Sequence, residues 1–222
     1  MPAPTADDLV ATRHALHAVA EHVLAAALHR WDGHIGLRVT PGGFGTPEVE
    51  VAGVARRARV EGTELVVEVA GRAERAPLTT LAAAAALVGV APGAPGGLYD
   101  IATPCDPDAR LAIDPDAAAV LARWFALVDA ALTGLVEEVA QDDPPVAQLW
   151  PEHFDLALTM DEVNYGGSPG DADHPTPYLY VGPWTVPAGT LWNEPWGVSW
   201  PMSAVPDVGV ALARLREGRS AV

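Results

Sequence analysis

Lysine is absent from this 222-residue chain; all 13 basic residues are arginine. That excludes Schiff-base chemistry, a lysine general base and the lysine of a P-loop. A single cysteine, Cys105, excludes an internal disulfide. Its setting, ATPCDPD, is acidic, which disfavours the thiolate a nucleophile needs. Basic charge is scarce overall: 29 acidic residues leave a formal net charge of -16. Nucleic acid is therefore not an expected partner, because phosphate contacts need a basic face. An anionic membrane surface is disfavoured for the same reason. The plainest role for the acidity is solubility. The opening MPAPTADD lacks the basic and apolar regions of a signal peptide. No apolar run approaches the ~18 residues of a membrane span, and LAAAAALVGVA reads as a short buried helix. The expected location is cytoplasmic.

What is present is enough for a substantial core, since half the residues are hydrophobic. One domain over residues 1–222 is expected, with DDPP at 142–145 as the only candidate sub-boundary. Thr5 reads as an N-cap, followed by a helix to about Arg30 with Gly33 near its C-cap. Ile35, Leu37 and Val39 alternate as in a strand, and PGGFGTP reads as a turn. PEVEVAGVARRARV predicts one strand whose alternation changes phase near Gly53, as a bulge would cause. Glu61-Gly62 turns into the strand ELVVEVAG, giving an antiparallel meander. Thr79 or Thr80 caps a short apolar helix to about Val90, and Leu98–Ile101 suggests a short strand. Asp114-Pro115-Asp116 starts a long helix to about Gln141, with a stripe running from Leu121 through Trp124, Phe125, Val128, Leu132 and Leu135 to Val139. Residues 152–160 and 177–183 read as strands, and 206–217 as a last helix. Two groups of strands separated by helices give an α+β fold, mostly antiparallel sheet flanked by helices.

Chemistry-bearing residues concentrate at 150–200, which holds Trp150, Trp184, Trp192, Trp196 and Trp200. In HFDLALTM, strand alternation puts His153 and Asp155 on one face and Phe154, Leu156, Leu158 and Met160 on the other. A carboxylate beside an imidazole fixes its tautomer and suits acid–base work, so His153 and Asp155 are the candidate catalytic residues. Tyr178, Tyr180, Trp184, Trp192 and Asn193 are candidate ligand contacts. The register across 162–176 is open, so the tyrosines face either the His153 side or the leucine side. Such a Tyr/Trp cluster is also ordinary core or interface material.

Other motifs carry less. His14, His17, His22 and His29 share an arc of the first helix, but without HExxH or ligands from other helices they read as histidines bordering solvent. Arg13 points toward the apolar face and is expected to snorkel or pair with an acid. The loop with Asp161, Glu162, Asn164, Asp171, Asp173 and His174 offers hard oxygen ligands without an EF-hand pattern. GFGTPE and YGGSPGD are neither dinucleotide nor P-loop fingerprints, and Ser168 lacks the spacing of a nucleophile elbow. No cofactor and no metal are implied.

The strings LWPEHFDLA (149–157), VNYGGSPGD (163–171) and PYLYVGPW (177–184) resemble a family of uncharacterised, mostly actinobacterial proteins of unknown function. The likeness is strongest over the C-terminal third and weaker at HIGLRVTPGGFGTP. It implies no catalytic residues. It implies that the Trp/Tyr-rich segment belongs to the fold of a single intact domain. The leading functional expectation is small-molecule binding or catalysis in an aromatic-lined pocket at 150–200. The alternatives are an interaction or homodimerisation module using the Trp/Pro-rich 191–201 segment, and a metal-dependent hydrolase using the acidic 161–174 loop.

Overall fold

A computed structural model describes residues 4–139 and 143–222. The chain falls into two compact units, residues 1–123 with 149–154, and residues 124–148 with 155–222. The architecture is α+β, with two antiparallel sheets of six and five strands.

The first unit opens with helix α1 (Ala6–Val19), capped as its sequence predicts. Thr5 accepts from the backbone of Asp8, and the Asp8 carboxylate returns a bond to the Thr5 N–H. The helix then widens into a π-helical stretch at Ala20–Ala25 and resumes as α2 (Ala26–Asp32), ending on Gly33 in the left-handed region at φ 84°. The extra residue of the π turn shifts the helical phase. Val19, Ala20, Val23, Leu24, Ala25, Ala27 and Leu28 are all fully buried as a result.

The six-stranded sheet contains β1 (Arg38–Thr40), β2 (Gly43–Gly45), β3 (Val49–Val51), β4 (Val54–Glu61), β5 (Glu64–Val69) and β6 (Arg72–Pro77). Its order is β1-β2-β4-β5-β6, with β3 also paired to β4. Two sequence expectations are corrected here. GFG is a strand rather than part of a turn: Gly43 and Gly45 pair with β4, where a Cβ would come within 2.4 Å of Val60 O or of the Arg59 side chain. The phase change at Gly53 is a hairpin rather than a bulge, because Ala52 and Gly53 both take positive φ, 51° and 79°. That is the signature of a type I′ turn, whose twist matches the strands it joins. Ala70-Gly71 repeats it at 51° and 75° and starts β6, a strand absent from the sequence reading. Helix α3 (Leu81–Val88) begins at Thr80, and no strand forms at 98–101.

Helix α4 (Pro115–Val139) starts at Asp114, whose carboxylate accepts from the backbone of Asp116 and Ala117. Its stripe is buried from Leu121 to Leu135. Its expected end near Gln141 and part of the expected 142–145 boundary lie outside the described residues. By length and composition α4 is apolar enough to cross a membrane, a test that core helices also pass.

Strands β7 (Gln148–Trp150), β8 (Asp155–Met160), β9 (Val163–Ser168), β10 (Tyr178–Pro183) and β11 (Val198–Pro201) form the second sheet. Strands β8 to β11 follow one another as a meander. The glycine-rich VNYGGS, expected as loop, is a central strand joined to β8 by a second-unit hairpin at Asp161-Glu162, with φ of 51° and 63°. Helix α5 (Val208–Ser220) is capped by Asp207. The C-terminal half of α4 packs on this sheet where Gly167 leaves room for Val128, and α5 packs where Gly218 meets Val181.

Candidate functional site

The register settles which way the tyrosines face. Tyr180 lies opposite Gly166 of β9 and Ser199 of β11, and Ala157 of β8 lies opposite Gly166. One face of the sheet therefore carries Asp155, Ala157, Thr159, Asn164, Gly166, Ser168, Tyr178, Tyr180 and Ser199. Leu156, Leu158, Met160, Tyr165, Leu179, Val181, Val198 and Trp200 take the other, which the helices cover. Tyr178 and Tyr180 are on the Asp155 side.

Glycine at 166 makes the central contact. The Tyr180 hydroxyl passes over it and donates to Asp155 Oδ2. A Cβ at Gly166 would lie 2.6 Å from both Tyr180 Oη and Leu156 O. Next along β10, Tyr178 donates to Asp171 Oδ2 at 2.5 Å. Asp171 Oδ1 accepts from the N–H groups of Asp173 (2.8 Å) and His174 (2.7 Å). His174 Nε2 meets Glu194 Oε1 at 3.0 Å, and Ser199 Oγ donates to that same oxygen at 2.7 Å. Trp196 lies against both tyrosines, with ring centroids 6.3 Å from Tyr178 and 5.8 Å from Tyr180, the latter edge-on. The His174 ring is 5.0 Å from Tyr178.

The electrostatics follow from burial and from these bonds. Burial, then the charge of Asp155 and the bond to it, hold the Tyr180 hydroxyl well above its ordinary pKa, so it stays a neutral donor. Burial and the bond to Asp171 raise Tyr178 in the same way. Burial opposes ionisation of Asp171, but the donors from Tyr178, His174 and Asp173 outweigh it and keep its carboxyl below the usual range. The face is thus a set of carboxylates, each fixed by a phenol, an imidazole or backbone N–H groups, beside three packed rings.

Not every candidate joins it. His153 is exposed in the turn at 151–154, where Phe154 takes φ 53°. That positive φ breaks the two-residue alternation just before the strand starts at Asp155. The expectation that His153 and Asp155 share a strand face is therefore corrected; Asp155, at the start of β8, accepts from Tyr180. Trp184 follows β10, is 66% exposed, and donates its backbone N–H to Glu162 O. Trp192 is half-buried. Asn193 uses both ends of its amide on the backbone of Ser199, at 2.9 and 3.0 Å, and so pins the loop to β11. Trp200 lies on the opposite face, under the Arg214 guanidinium at 5.7 Å. Sequence reasoning named Trp196 within the segment but not as a ligand contact, and it missed Gly166, Glu194 and Ser199. The distance in sequence of VNYGGS and NEPWGVS from PYLYV hides them, because pairing across a loop is not a local property of the chain.

The acidic loop does not gather as a ligand set. Asp161 and Glu162 form a hairpin turn, Asn164 bonds Thr159, and Asp171 caps its own loop. Among the described residues no group of three His, Cys, Asp or Glu is arranged to hold a metal ion.

The N-terminal histidines divide. His14 and His29 are exposed, as expected, but His17 and His22 are not. His22 is fully buried, with Nε2 at 2.9 Å from Thr103 O and Nδ1 accepting from Ala94 N at 3.0 Å. Glu21 is also fully buried and accepts from Ala102 N, Thr103 N and Thr103 Oγ1 at 3.0, 2.8 and 2.5 Å. The π turn brings two consecutive polar residues inward, where they tie the 93–103 loop to the helix. An α-helical wheel assumes a constant 100° step and so misplaces them.

Compared with protein families, with curated proteins and with solved structures, the chain has no match.

Proposed function

We propose that this protein binds a small organic ligand on the Asp155–Tyr178–Tyr180–Trp196 face. The observation that carries this reading is the Tyr180–Asp155 pair, held over Gly166 beside a tryptophan that remains 38% exposed. Carboxylates with fixed orientation accept hydrogen bonds from ligand hydroxyl groups, and an indole offers a face to the C–H groups of a ring. A sugar-like ring carrying several hydroxyls meets both requirements. Asp155, half-buried and bonded to a neutral phenol, is the group placed for proton transfer if the ligand is turned over.

The test is a thermal-melt and tryptophan-fluorescence screen against mono- and disaccharides, with Asp155→Asn and Trp196→Ala alongside wild type. The expected result is a saturable shift with at least one sugar, lost in Trp196→Ala and weakened in Asp155→Asn. No saturable shift from any sugar, or one that both variants retain, overturns it.

A second reading is an interaction or homodimerisation surface formed by 191–201. It is favoured by the exposure of Trp184 and Trp196. Sedimentation separates the two, since this reading requires a self-association that Trp196→Ala weakens.

A further inference from the structure

In the first unit, strands β4 to β6 treat their charges differently on the two faces of the sheet. The register puts Arg57, Arg59, Glu61, Glu64, Glu68 and Arg75 on one face. There they neutralise one another. Arg57 meets Glu68 at 2.6 Å, Arg59 meets Glu61 at 2.5 Å, and Arg75 meets Glu61 and Glu64 at 2.8 and 3.1 Å. The other face carries Arg56, Arg72 and Glu74. Val69 stands between Arg56 and Arg72 in one row, and Val67 lies opposite Glu74 in the next. Arg72 and Glu74 are exposed, and neither side chain makes a hydrogen bond or ion pair among the described residues. The buried Nε of Arg56 has no hydrogen-bond partner among them either.

This second face holds a groove of about 780 Å³, lined by Val67 and Val69 of β5, Leu87 of α3, and both Arg72 and Glu74. Val67 is buried, and Val69 and Leu87 are half-buried. One cation and one anion thus share a cavity with an apolar floor. Two residues apart on a strand, their Cα atoms are about 6.4–6.8 Å from each other. An ammonium and a carboxylate on one carbon bridge such a gap when each makes a charge-assisted hydrogen bond of about 2.7–2.9 Å. The guanidinium fork matches the carboxylate, and Arg56, beyond Val69, makes that end of the row more positive. The Glu74 carboxylate accepts from the ammonium. A ligand with a single charge would leave one of the two side chains unmatched. A ligand without an apolar part would leave the valines and Leu87 wet.

We propose that this groove binds a free α-amino acid with an apolar side chain. Arg72 holds its carboxylate, Glu74 its ammonium group, and Val67, Val69 and Leu87 its side chain. The groove belongs to the first unit and does not depend on the ligand assigned to the aromatic face of the second.

The experiment is a thermal-melt titration of the full chain with leucine. Glycine supplies both charges without the side chain, N-acetylleucine lacks the ammonium group, and leucinamide lacks the carboxylate. A ligand bound only by the folded state raises Tm in a saturable way. The expected result is a saturable rise with leucine, which the other three compounds match only at concentrations higher by about tenfold or more. Arg72→Gln and Glu74→Gln should each weaken the response to leucine to the same degree. Both residues are exposed, so their basal Tm should stay close to wild type. Arg75→Gln, on the opposite face, should leave the response unchanged. No saturable rise with leucine overturns the proposal. So does an equal response to leucinamide or N-acetylleucine, or a leucine response that survives in Arg72→Gln or Glu74→Gln. A second copy seated in the groove would instead give a dimer in sedimentation that Arg72→Gln dissociates and leucine does not, and that result overturns the proposal too.

Discussion

Gly166→Ala tests how the aromatic face is built. Gly166 does not have a positive φ, so alanine is allowed by the backbone and the effect is steric. The new methyl would sit 2.6 Å from Leu156 O, a strand carbonyl that cannot retreat, and 2.6 Å from Tyr180 Oη. The tyrosine must give way. Overpacking of this kind costs about 1–3 kcal/mol. Displacing Tyr180 also removes its bond to Asp155, and hydrogen bonds to charged groups contribute about 1.5–3 kcal/mol. Replacing glycine lowers the entropy of the unfolded chain, which offsets roughly 0.4–1 kcal/mol. The net loss should be about 2–5 kcal/mol, read as a lowered urea midpoint at unchanged slope. The decisive measurement is a double-mutant cycle with Tyr180→Phe. In the phenylalanine background the hydrogen bond is already gone, so Gly166→Ala should cost about 1.5–3 kcal/mol less than in wild type. A loss below ~0.5 kcal/mol in wild type, or strict additivity of the two changes, would refute the packing argument.

Glu21→Gln should destabilise the first unit by at least ~3 kcal/mol, because the new amide N–H₂ faces donors from Ala102 and Thr103 that the carboxylate now satisfies; a change within ~0.5 kcal/mol in urea unfolding would contradict it. His17 has a depressed folded pKa, so the unfolded chain binds its proton first as pH falls. Its contribution is complete above the unfolded value of about 6.5 and is lost as pH drops below it toward the folded value. A His17→Gln variant should accordingly show a flatter decline of Tm on the acid side of that value; parallel profiles would count against the assignment. Cys105 is exposed, yet partial desolvation and the neighbouring Asp106 raise its thiol pKa. It should alkylate with iodoacetamide more slowly at neutral pH than an unstructured cysteine peptide, and an equal or faster rate would show that the acid neighbour has no effect.

The sequence by itself determined the local structure. Thr5, Thr80, Asp114 and Asp207 each start a helix by accepting backbone N–H groups that the first turn leaves unbonded, and that is written in adjacent residues. The two strand groups and the helices between them followed from periodicity, which is also local. It placed Asp155, Tyr178 and Tyr180 on strands. Tertiary structure decided the rest. VNYGGS reads as loop because glycine is a poor strand former in isolation, yet Gly166 and Gly167 are required where Tyr180 and Val128 occupy the space of their side chains. His153 left the strand because one residue, Phe154, adopts a positive φ that no sequence rule assigns to phenylalanine. Glu21 and His22 turned inward together because the helix widens to a π turn over a loop some eighty residues away. Each of these depends on which groups meet across the fold, and a one-dimensional pattern carries the preferences of single segments but not the identity of the partners that overrule them.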